Sequence, residues 1–357
     1  MQRTSIREEK LINSLFILTL TPERSDSAAR LLGTFDARQH QRFLELANSH
    51  HVVVRALSAL RPVADTETRN WIDAALDAEN SRISTALPCL AQVCRVLDQA
   101  ECPITVMKSL DHWPDLGNDI DLFTTAPERM VVEVFENQLG AGVEQRSWGD
   151  RLAKKWNFRI PGLKESIEVH CERLGQTGEH IALARRFVTR RVPKQLEGYT
   201  FMVPAPEERI IVATLQRMYR HFYFRVCDIV NSAALVESGV LDYKELQRAS
   251  MIGGIWPGVA TYLKIVSDFV ERYRGKRLAL PESVLRAARF GGAKISLSRG
   301  FLRVPILPEG AELYTKEIAA AARRGDIPAA ARLSLLPPLA SAAAVAYKFT
   351  GTDKGIW

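Results

Sequence analysis

The sequence has few cysteines, and their arrangement suggests neither a metal site nor a disulfide framework. The five residues are Cys89, Cys94, Cys102, Cys171 and Cys227. Their number is odd, and no Cys-x-x-Cys pair or other zinc-ligand spacing is present. We therefore expect no zinc, and reduced thiols of the kind found in a cytoplasmic protein.

Long hydrophobic runs are also absent. The segment Leu11–Leu20 (LINSLFILTL) is far shorter than the roughly 20 apolar residues that a membrane-spanning helix needs. Acidic residues Glu8 and Glu9 precede it, and no small-residue cleavage site follows, so it does not fit an export signal. We expect an amphipathic helix there and no association with a membrane.

The sequence contains no block of like charges, no internal repeat and no low-complexity linker. Lys+Arg 48 exceed Asp+Glu 41, which gives a net charge of +7. This charge permits a polyanionic partner such as nucleotide phosphate or RNA, but its scattered distribution does not require one. With 357 residues, of which 46% are hydrophobic, the chain is long enough for two or three domain-sized units.

Hydrophobic periodicity divides the chain into three regions that we expect to pack as one body. Residues 1–100 and 206–357 show helical spacing, whereas residues 101–205 contain short β-branched runs separated by turn formers. The helix Glu128–Leu139 is expected to cross over the sheet. The predicted strands of one sheet are Ile104–Met107, Ile120–Phe123, Asn157–Ile160, Ser166–Cys171 and Tyr199–Val203. The expected fold class is α/β (α+β), a small mixed sheet flanked by helical regions.

A long helix is expected to begin at Pro206, because proline suits the first helical turn. Arg217, His221, Arg225 and Asp228 would then form one polar stripe at spacings of four, four and three residues. Such a stripe is usually a solvated helix face. Aromatic residues crowd the same turns, however, and this leaves open that the stripe faces a cleft beside the sheet.

The densest chemical signal is the segment Ile104–Phe123, ITVMKSLDHWPDLGNDIDLF. Side chains alternate along a strand, so Asp119 and Asp121 should share one face while Ile120 enters the core. Two carboxylates on a rigid edge suit Mg²⁺, which is usually held by one or two carboxylates together with substrate phosphates. The ordinary alternative is a solvated strand end.

Two neighbouring features strengthen this interpretation. Lys108 and Ser109 follow the first strand at a turn where phosphate oxygens could bind, although a surface lysine is the ordinary alternative. Glu168 and His170 share one face of the strand Ser166–Cys171, so Glu168 would be a third carboxylate at the same edge. Crowded carboxylates raise one another's pKa, and a cation compensates for this. His170 is equally compatible with a ligand contact and with a structural histidine.

These residues carry a resemblance to a family. The order of strand, Lys-Ser turn, Asp-Ile-Asp-Leu strand, helix and Ile-Glu-Val-His-Cys strand resembles the polymerase-β-like nucleotidyltransferase superfamily, in particular its bacterial branch of mostly uncharacterised nucleotidyltransferases. The segments 43–60, 203–231 and 241–254 also look like that branch. The resemblance implies that Asp119, Asp121 and Glu168 hold catalytic Mg²⁺, or Mn²⁺, and that Lys108 and Ser109 bind the triphosphate. The sequence departs from the family in having Ser109 instead of glycine and Glu168 instead of the commoner aspartate.

The activity implied is that of a transferase that uses ATP or another NTP, moves the nucleoside monophosphate to an acceptor and releases pyrophosphate. One metal ion would orient the triphosphate, and the second would lower the pKa of the attacking hydroxyl. Glu168 would bind the second ion or accept the proton of that hydroxyl. In this family the helical part closes over the nucleotide, which implies a substrate-binding role for Arg217, His221, Arg225 and Asp228. The acceptor is a small molecule, an RNA or a protein. The rival hypothesis is an inactive module of the same fold that binds RNA or a protein partner.

Overall fold

The structure is a computed structural model that describes residues 2–350, with side chains described for residues 8–338 and 342. Helices dominate the chain, and three small sheets complete a mixed α/β fold. None of the described helices is both long and apolar enough to cross a membrane.

The predicted helical texture of the first region is confirmed. Its helices are α1 (Gln2–Leu20), α2 (Asp26–Leu32), α3 (Ala37–Ser49), α4 (Val53–Leu60) and α5 (Thr66–Gln99). Helix α3 begins at a capping box, in which the Asp36 carboxylate accepts from the Gln39 amide and the Gln39 side chain accepts from the Asp36 amide. Asp65 caps α5 by accepting a hydrogen bond from the Thr68 amide.

The central sheet has five strands in the order β1-β2-β5-β4-β3. They are β1 (Ile104–Val106), β2 (Asp119–Thr124), β3 (Gly142–Val143), β4 (Lys155–Arg159) and β5 (Ser166–Cys171), with helices α6 (Glu128–Asn137) and α7 (Trp148–Leu152) between them. Strands β2 and β5 are parallel, and every other pair is antiparallel. The predicted strands at 104, 120, 157 and 166 and the helix at 128 are therefore confirmed.

The predicted fifth strand of this sheet is wrong in its pairing. Strand β7 (Tyr199–Pro204) pairs with β6 (Arg191–Leu196) in a separate two-stranded sheet, which follows helix α8 (Ile181–Thr189). Glu197 and Gly198 connect the two strands with φ of 47° and 81°, the positive values that a tight hairpin turn requires. The hairpin satisfies the hydrogen bonds of β7 locally, so this strand does not need the central sheet.

The predicted long helix after Pro206 is also wrong. Helix α9 (Pro206–Thr214) continues into a π-helical turn over Leu215–Arg220 and then stops. Phe222 has φ 52°, and its carbonyl accepts from the Val304 amide at 2.9 Å, so the chain leaves the helix there. Arg217 and His221 consequently lie before the break, and Arg225 and Asp228 lie after it.

The rest of the chain is mainly helical. It comprises β8 (Tyr223–Phe224), α10 (Val226–Glu237), α11 (Tyr243–Gly253), α12 (Trp256–Arg274), α13 (Glu282–Ala287), β9 (Ser296–Ser298), β10 (Phe301–Arg303), α14 (Ala311–Arg323) and α15 (Ile327–Thr350). Strand β10 pairs with both β8 and β9. The helices before the sheet and the helices after it share one hydrophobic core, and a second core lies between α5, α6 and the central sheet.

Candidate active site

The parallel pairing of β2 and β5 brings two of the three predicted acidic residues, Asp121 and Glu168, together with His170, whereas Asp119 lies outside this group. Asp121 lies directly opposite Glu168, and Phe123 lies opposite His170. A carboxylate oxygen of Asp121, a carboxylate oxygen of Glu168 and a ring nitrogen of His170 lie within 4.8 Å of one another. Among the described residues, this is the group whose side chains could hold a metal ion together.

Lys108 and Ser109 both contact Asp121. The Lys108 ammonium nitrogen lies 2.7 Å from Asp121 Oδ1. The Ser109 hydroxyl oxygen accepts a hydrogen bond from the Asp121 amide at 2.8 Å and lies 3.3 Å from Asp121 Oδ2. Ser109 is only 1% exposed, so its hydroxyl fixes the start of β2, whereas Lys108 is the residue that presents charge to a ligand.

Lys155, which sequence reasoning missed, neutralises the third carboxylate. It lies on β4 opposite His170, and its ammonium nitrogen lies 3.0 Å from Glu168 Oε2 and 2.9 Å from Asp150 Oδ1. Glu168 Oε1 lies 2.7 Å from His170 Nε2. Burial by itself raises the pKa of Glu168, but the hydrogen bond with His170 and the charge of Lys155 outweigh it and hold this pKa well below its usual range.

Asp119 differs from the other two carboxylates because no lysine or arginine of the described residues forms an ion pair with it. It is exposed at the first position of β2. Partial desolvation, followed by the negative charges of Asp121 and Glu168, raises the pKa of Asp119. Asp119, next to the cluster, is therefore a carboxylate without an ion-pair partner among the described residues.

A cleft lies beside this cluster. Its empty volume is about 780 Å³, including the solvent-open space at its entrance. Lys108, Ser109, Asp119 and Asp121 line one part of it. Three of the four residues of the predicted stripe, Arg217, Arg225 and Asp228, also line it, although they do not share one helix. The structure thus brings seven of the ten predicted site residues to one cleft.

The other three predicted residues lie elsewhere. Glu168 does not line the cleft, although one of its carboxylate oxygens lies within 4.8 Å of a carboxylate oxygen of Asp121 on the adjacent strand. His170 lines two smaller clefts together with Arg220. His221 lines neither the main cleft nor these two smaller clefts, and its ring centroid lies 5.6 Å from that of Tyr223. Burial, followed by the charges of Arg220 and Arg217, holds the pKa of His221 well below its usual range.

Arg217 and Asp228 join the two sides of the helix break. Their Nε and Oδ2 atoms lie 2.7 Å apart, and both side chains are buried. The same Asp228 oxygen accepts a hydrogen bond from the Arg225 amide at 2.7 Å. Arg225 itself forms no ion pair with any described residue, and its guanidinium lies 5.9 Å from the Tyr223 ring centroid. The other cations that line this cleft, Lys108, Arg209 and Arg217, each form an ion pair with a carboxylate, whereas Arg225 forms none with the described residues.

The cleft also contains two histidines that the sequence did not reveal. His51 follows α3, His112 ends the turn after β1, and their ring centroids lie 5.0 Å apart. Neither belongs to a recognisable motif, and His51 lies in a region where the sequence shows only helical periodicity. Only the tertiary structure places them beside the carboxylates.

The donor set fits a hard divalent cation. Asp121 and Glu168 offer carboxylate oxygens, which Mg²⁺ and Mn²⁺ prefer, within 4.8 Å of each other, and Asp119, which lies outside that group, adds a carboxylate with no ion-pair partner among the described residues. His170 would add an imidazole nitrogen, a ligand that Mn²⁺ accepts more readily than Mg²⁺. The cluster contains no cysteine.

Comparison with known proteins gives no further guidance. No family model, no curated protein and no solved structure matches this chain significantly. The function must therefore be argued from the geometry of the site itself.

Proposed function

We propose that the protein is a metal-dependent nucleotidyltransferase, which moves a nucleoside monophosphate from an NTP to an acceptor hydroxyl and releases pyrophosphate. One observation carries this proposal. Asp121 and Glu168 lie opposite each other on adjacent parallel strands, with His170 within 4.8 Å, beside a cleft that also exposes Asp119 and Lys108.

Asp119, Asp121 and Glu168 would hold Mg²⁺ or Mn²⁺. A divalent cation bound there neutralises phosphate charge and lowers the pKa of a bound hydroxyl. Because the pKa of Glu168 lies well below its usual range, this carboxylate binds a proton weakly. It therefore suits the role of metal ligand better than the role of general base.

The remaining residues position and neutralise the substrate. Lys108, which forms an ion pair with Asp121, supplies positive charge for the β- and γ-phosphates. The acceptor oxygen forms a bond to the α-phosphorus, the bond from that phosphorus to the β-phosphate oxygen breaks, and the hydroxyl proton leaves to solvent. Positioning and charge neutralisation supply most of the barrier reduction in reactions of this class.

A second candidate function is a non-catalytic module that binds RNA or a protein partner. One observation favours it: Lys108 and Lys155 already neutralise Asp121 and Glu168, so the cluster needs a cation only at Asp119. The net charge of +7 would suit an anionic partner. Salt-sensitive RNA binding without turnover of NTP would support this function.

The test measures pyrophosphate release and label transfer. Wild-type protein, Asp121→Asn and the control Asp98→Asn are incubated with Mg²⁺ or Mn²⁺, each α-labelled NTP and a cell extract as the source of acceptor. Asp98 is an exposed carboxylate at the end of α5. We expect label transfer by wild type and Asp98→Asn, and a loss of about 1,000-fold in Asp121→Asn, because metal ligation contributes several kcal/mol.

Two results would count against catalysis. The first is no turnover of any NTP by the wild-type protein with either metal. The second is equal turnover by wild type and Asp121→Asn, provided that thermal unfolding shows both to be folded.

A further inference from the structure

His51 occupies an unusual position in the main cleft. Its φ of 53° lies in the left-handed region, which non-glycine residues rarely adopt. The side chain is only 7% exposed, it lines the cleft, and its Nδ1 atom has no hydrogen-bond partner. Buried polar atoms are nearly always paired, so an unpaired one that lines a cleft needs an explanation. Backbone strain of this kind often accompanies function.

The neighbouring residues hold His51 in this position. His50 Nε2 lies 2.8 Å from the Gly300 carbonyl oxygen, and His50 Nδ1 accepts a hydrogen bond from the Val226 amide at 2.9 Å. The His51 ring stacks on His112, whose Nδ1 lies 3.0 Å from the Asn231 side-chain nitrogen. Hydrogen bonds therefore join the turn after α3 to the start of α10 and to the residue before β10. These contacts restrict the position of the His51 imidazole.

This part of the cleft differs in chemistry from the part around Asp119 and Lys108. Its lining offers two stacked imidazoles and the Asn231 amide. Burial and nearby arginines hold the pKa of His51 and of His112 well below the usual range, so both rings are neutral. Arg225 also lines this part, and its buried Nε lacks a partner. Two flat stacked rings, one of which carries the unpaired His51 Nδ1, suit a nucleobase or ribose better than a phosphate.

We infer that His51 and Arg225 bind the nucleoside half of the NTP, while Lys108 and the carboxylates bind its phosphates. The inference rests on the proposed function, because it assigns the orientation of the same substrate in the same cleft. Nδ1 of His51 would hydrogen bond to the edge of the base or to a ribose hydroxyl. The Arg225 guanidinium would donate hydrogen bonds to acceptor atoms of the nucleoside. The N-terminal helical region thereby takes part in substrate binding.

The test compares two ligands that share phosphates but differ in the nucleoside. Isothermal titration calorimetry with Mg²⁺ measures the affinity of each α,β-methylene NTP and of tripolyphosphate. The variants are His51→Gly, His51→Asn, Lys108→Ala and the control His40→Asn. Glycine and asparagine both tolerate positive φ, so neither adds backbone strain at position 51. His40 is an equally buried histidine that stacks on Trp71 outside the cleft.

We expect His51→Gly to weaken the tightest-binding NTP analogue by about tenfold, the value of one hydrogen bond, and to leave tripolyphosphate affinity within about twofold. His51→Asn retains hydrogen-bonding atoms and should lose less. Lys108→Ala should weaken both ligands, and His40→Asn should weaken neither.

The other outcomes separate the inference from the proposed function. Unchanged NTP affinity in His51→Gly, or an equal loss for both ligands, overturns the inference and leaves the phosphate site intact. Failure of wild-type protein to bind either ligand overturns the proposed function and the inference with it. If thermal unfolding shows that His51→Gly does not fold, His51→Asn replaces it in the test. Unchanged NTP affinity in His51→Asn, or an equal loss for NTP and tripolyphosphate, then overturns the inference.

Discussion

At the scale of single residues, the balance of charge distinguishes Asp119 from its neighbours. Asp121 forms an ion pair with Lys108 and Glu168 forms one with Lys155, whereas Asp119 forms none with the described residues, and burial followed by the charges of Asp121 and Glu168 raises its pKa. A carboxyl group whose pKa is higher in the folded state binds its proton more tightly there. Ionisation of Asp119 therefore lowers the free energy of unfolding as the pH rises from the ordinary carboxyl pKa of 3.8 through the raised pKa of the folded state.

Asp119→Asn should consequently stabilise the metal-free protein at neutral pH. The variant lacks the ionisable group, so its stability does not decrease as the pH rises through this pKa. We therefore expect its Tm to exceed that of the wild type by about 1–3 °C. The gain should vanish below pH 3.8, where the carboxyl is protonated in both folded and unfolded states. Thermal unfolding in EDTA, from below pH 3.8 to neutral pH, measures this difference in Tm.

Adding metal provides the control for this experiment. Mg²⁺ or Mn²⁺ should raise the Tm of the wild-type protein and have a smaller effect on Asp119→Asn, because ligand binding stabilises the folded state. A variant less stable than wild type at neutral pH in EDTA would contradict the assignment of Asp119 as an uncompensated charge.

The sequence revealed the acidic residues but not their partners, for a physical reason. Strand alternation is a local rule, so it places Asp119 with Asp121 and Glu168 with His170 before any tertiary structure is known. Lys155 reaches Glu168 only through the antiparallel register of β4 and β5. His51 reaches the cleft only because distant segments of the chain pack together, and no local pattern encodes that.

At the scale of elements, the break after α9 decides how the cleft is lined. The apolar spacing Ile211, Leu215, Met218 continues without change into Phe222 and Val226, so periodicity alone predicts one helix. The left-handed φ of Phe222 interrupts it, and the type of residue gives no sign of this conformation. Hydrophobic periodicity thus fails to predict the break between the π-helical turn and α10, both of which line the cleft.

Gly258 is expected to be needed for the π-helical turn. A Cβ at this position of α12 would lie 2.7 Å from Tyr219 Cζ, and Tyr219 is buried in the turn. Gly258→Ala should therefore displace the ring and lower the free energy of unfolding by about 1–3 kcal/mol. Urea denaturation measures the change, and a reduced affinity for the NTP analogues should accompany it because the turn carries Arg217.

Gly142→Ala is the matched control. Gly142 is exposed, and no atom lies within 4 Å of the added Cβ. The control should change the free energy of unfolding by less than about 0.5 kcal/mol. Equal stability of Gly258→Ala and wild type would show that Tyr219 does not hold the turn.

The ion pair between Arg217 and Asp228 should stabilise the same break from the other side. Asp228→Asn leaves a buried guanidinium without its counter-ion, and the expected cost is about 3–5 kcal/mol. Arg217→Met in the same chain removes that unpaired charge, so the double variant should recover part of the loss. A double-mutant cycle in urea measures the coupling.

The exposed pair Arg129 and Glu133 on α6 serves as the comparison, with side chains 90% and 54% exposed. The same cycle there, with Arg129→Met and Glu133→Gln, should give a coupling energy much smaller than that of the buried pair, because solvent screens exposed charges. Similar coupling energies for the two pairs would mean that Arg217 and Asp228 are not buried together as described.

At the scale of the whole molecule, the site depends on the packing of helices from both ends of the chain. Phe16 of α1 is fully buried, and its ring centroid lies 5.6 Å from that of Phe269 and 4.8 Å from that of Tyr273, both on α12. These residues belong to the core that also contains residues of α3, α4, α9 and α10. His51, Arg217 and Asp228 are therefore supported by one hydrophobic core, and Asp121 and Glu168 by the second, beneath the central sheet.

Truncation within the shared core should therefore loosen both groups of helices together. Phe16→Ala is expected to lower the free energy of unfolding by about 3–5 kcal/mol. Hydrogen exchange followed by mass spectrometry should show faster exchange in α12 as well as in α1, because openings spread through a cooperative unit. The counterpart Phe135→Ala removes a ring that stacks on Phe158 at 3.9 Å in the sheet core, and its largest increases should lie in α6 and β4. Faster exchange in α1 alone, with α12 protected as in wild type, would mean that the N-terminal helices form a separate unit, and the contribution of His51 to the cleft would then lose its structural support.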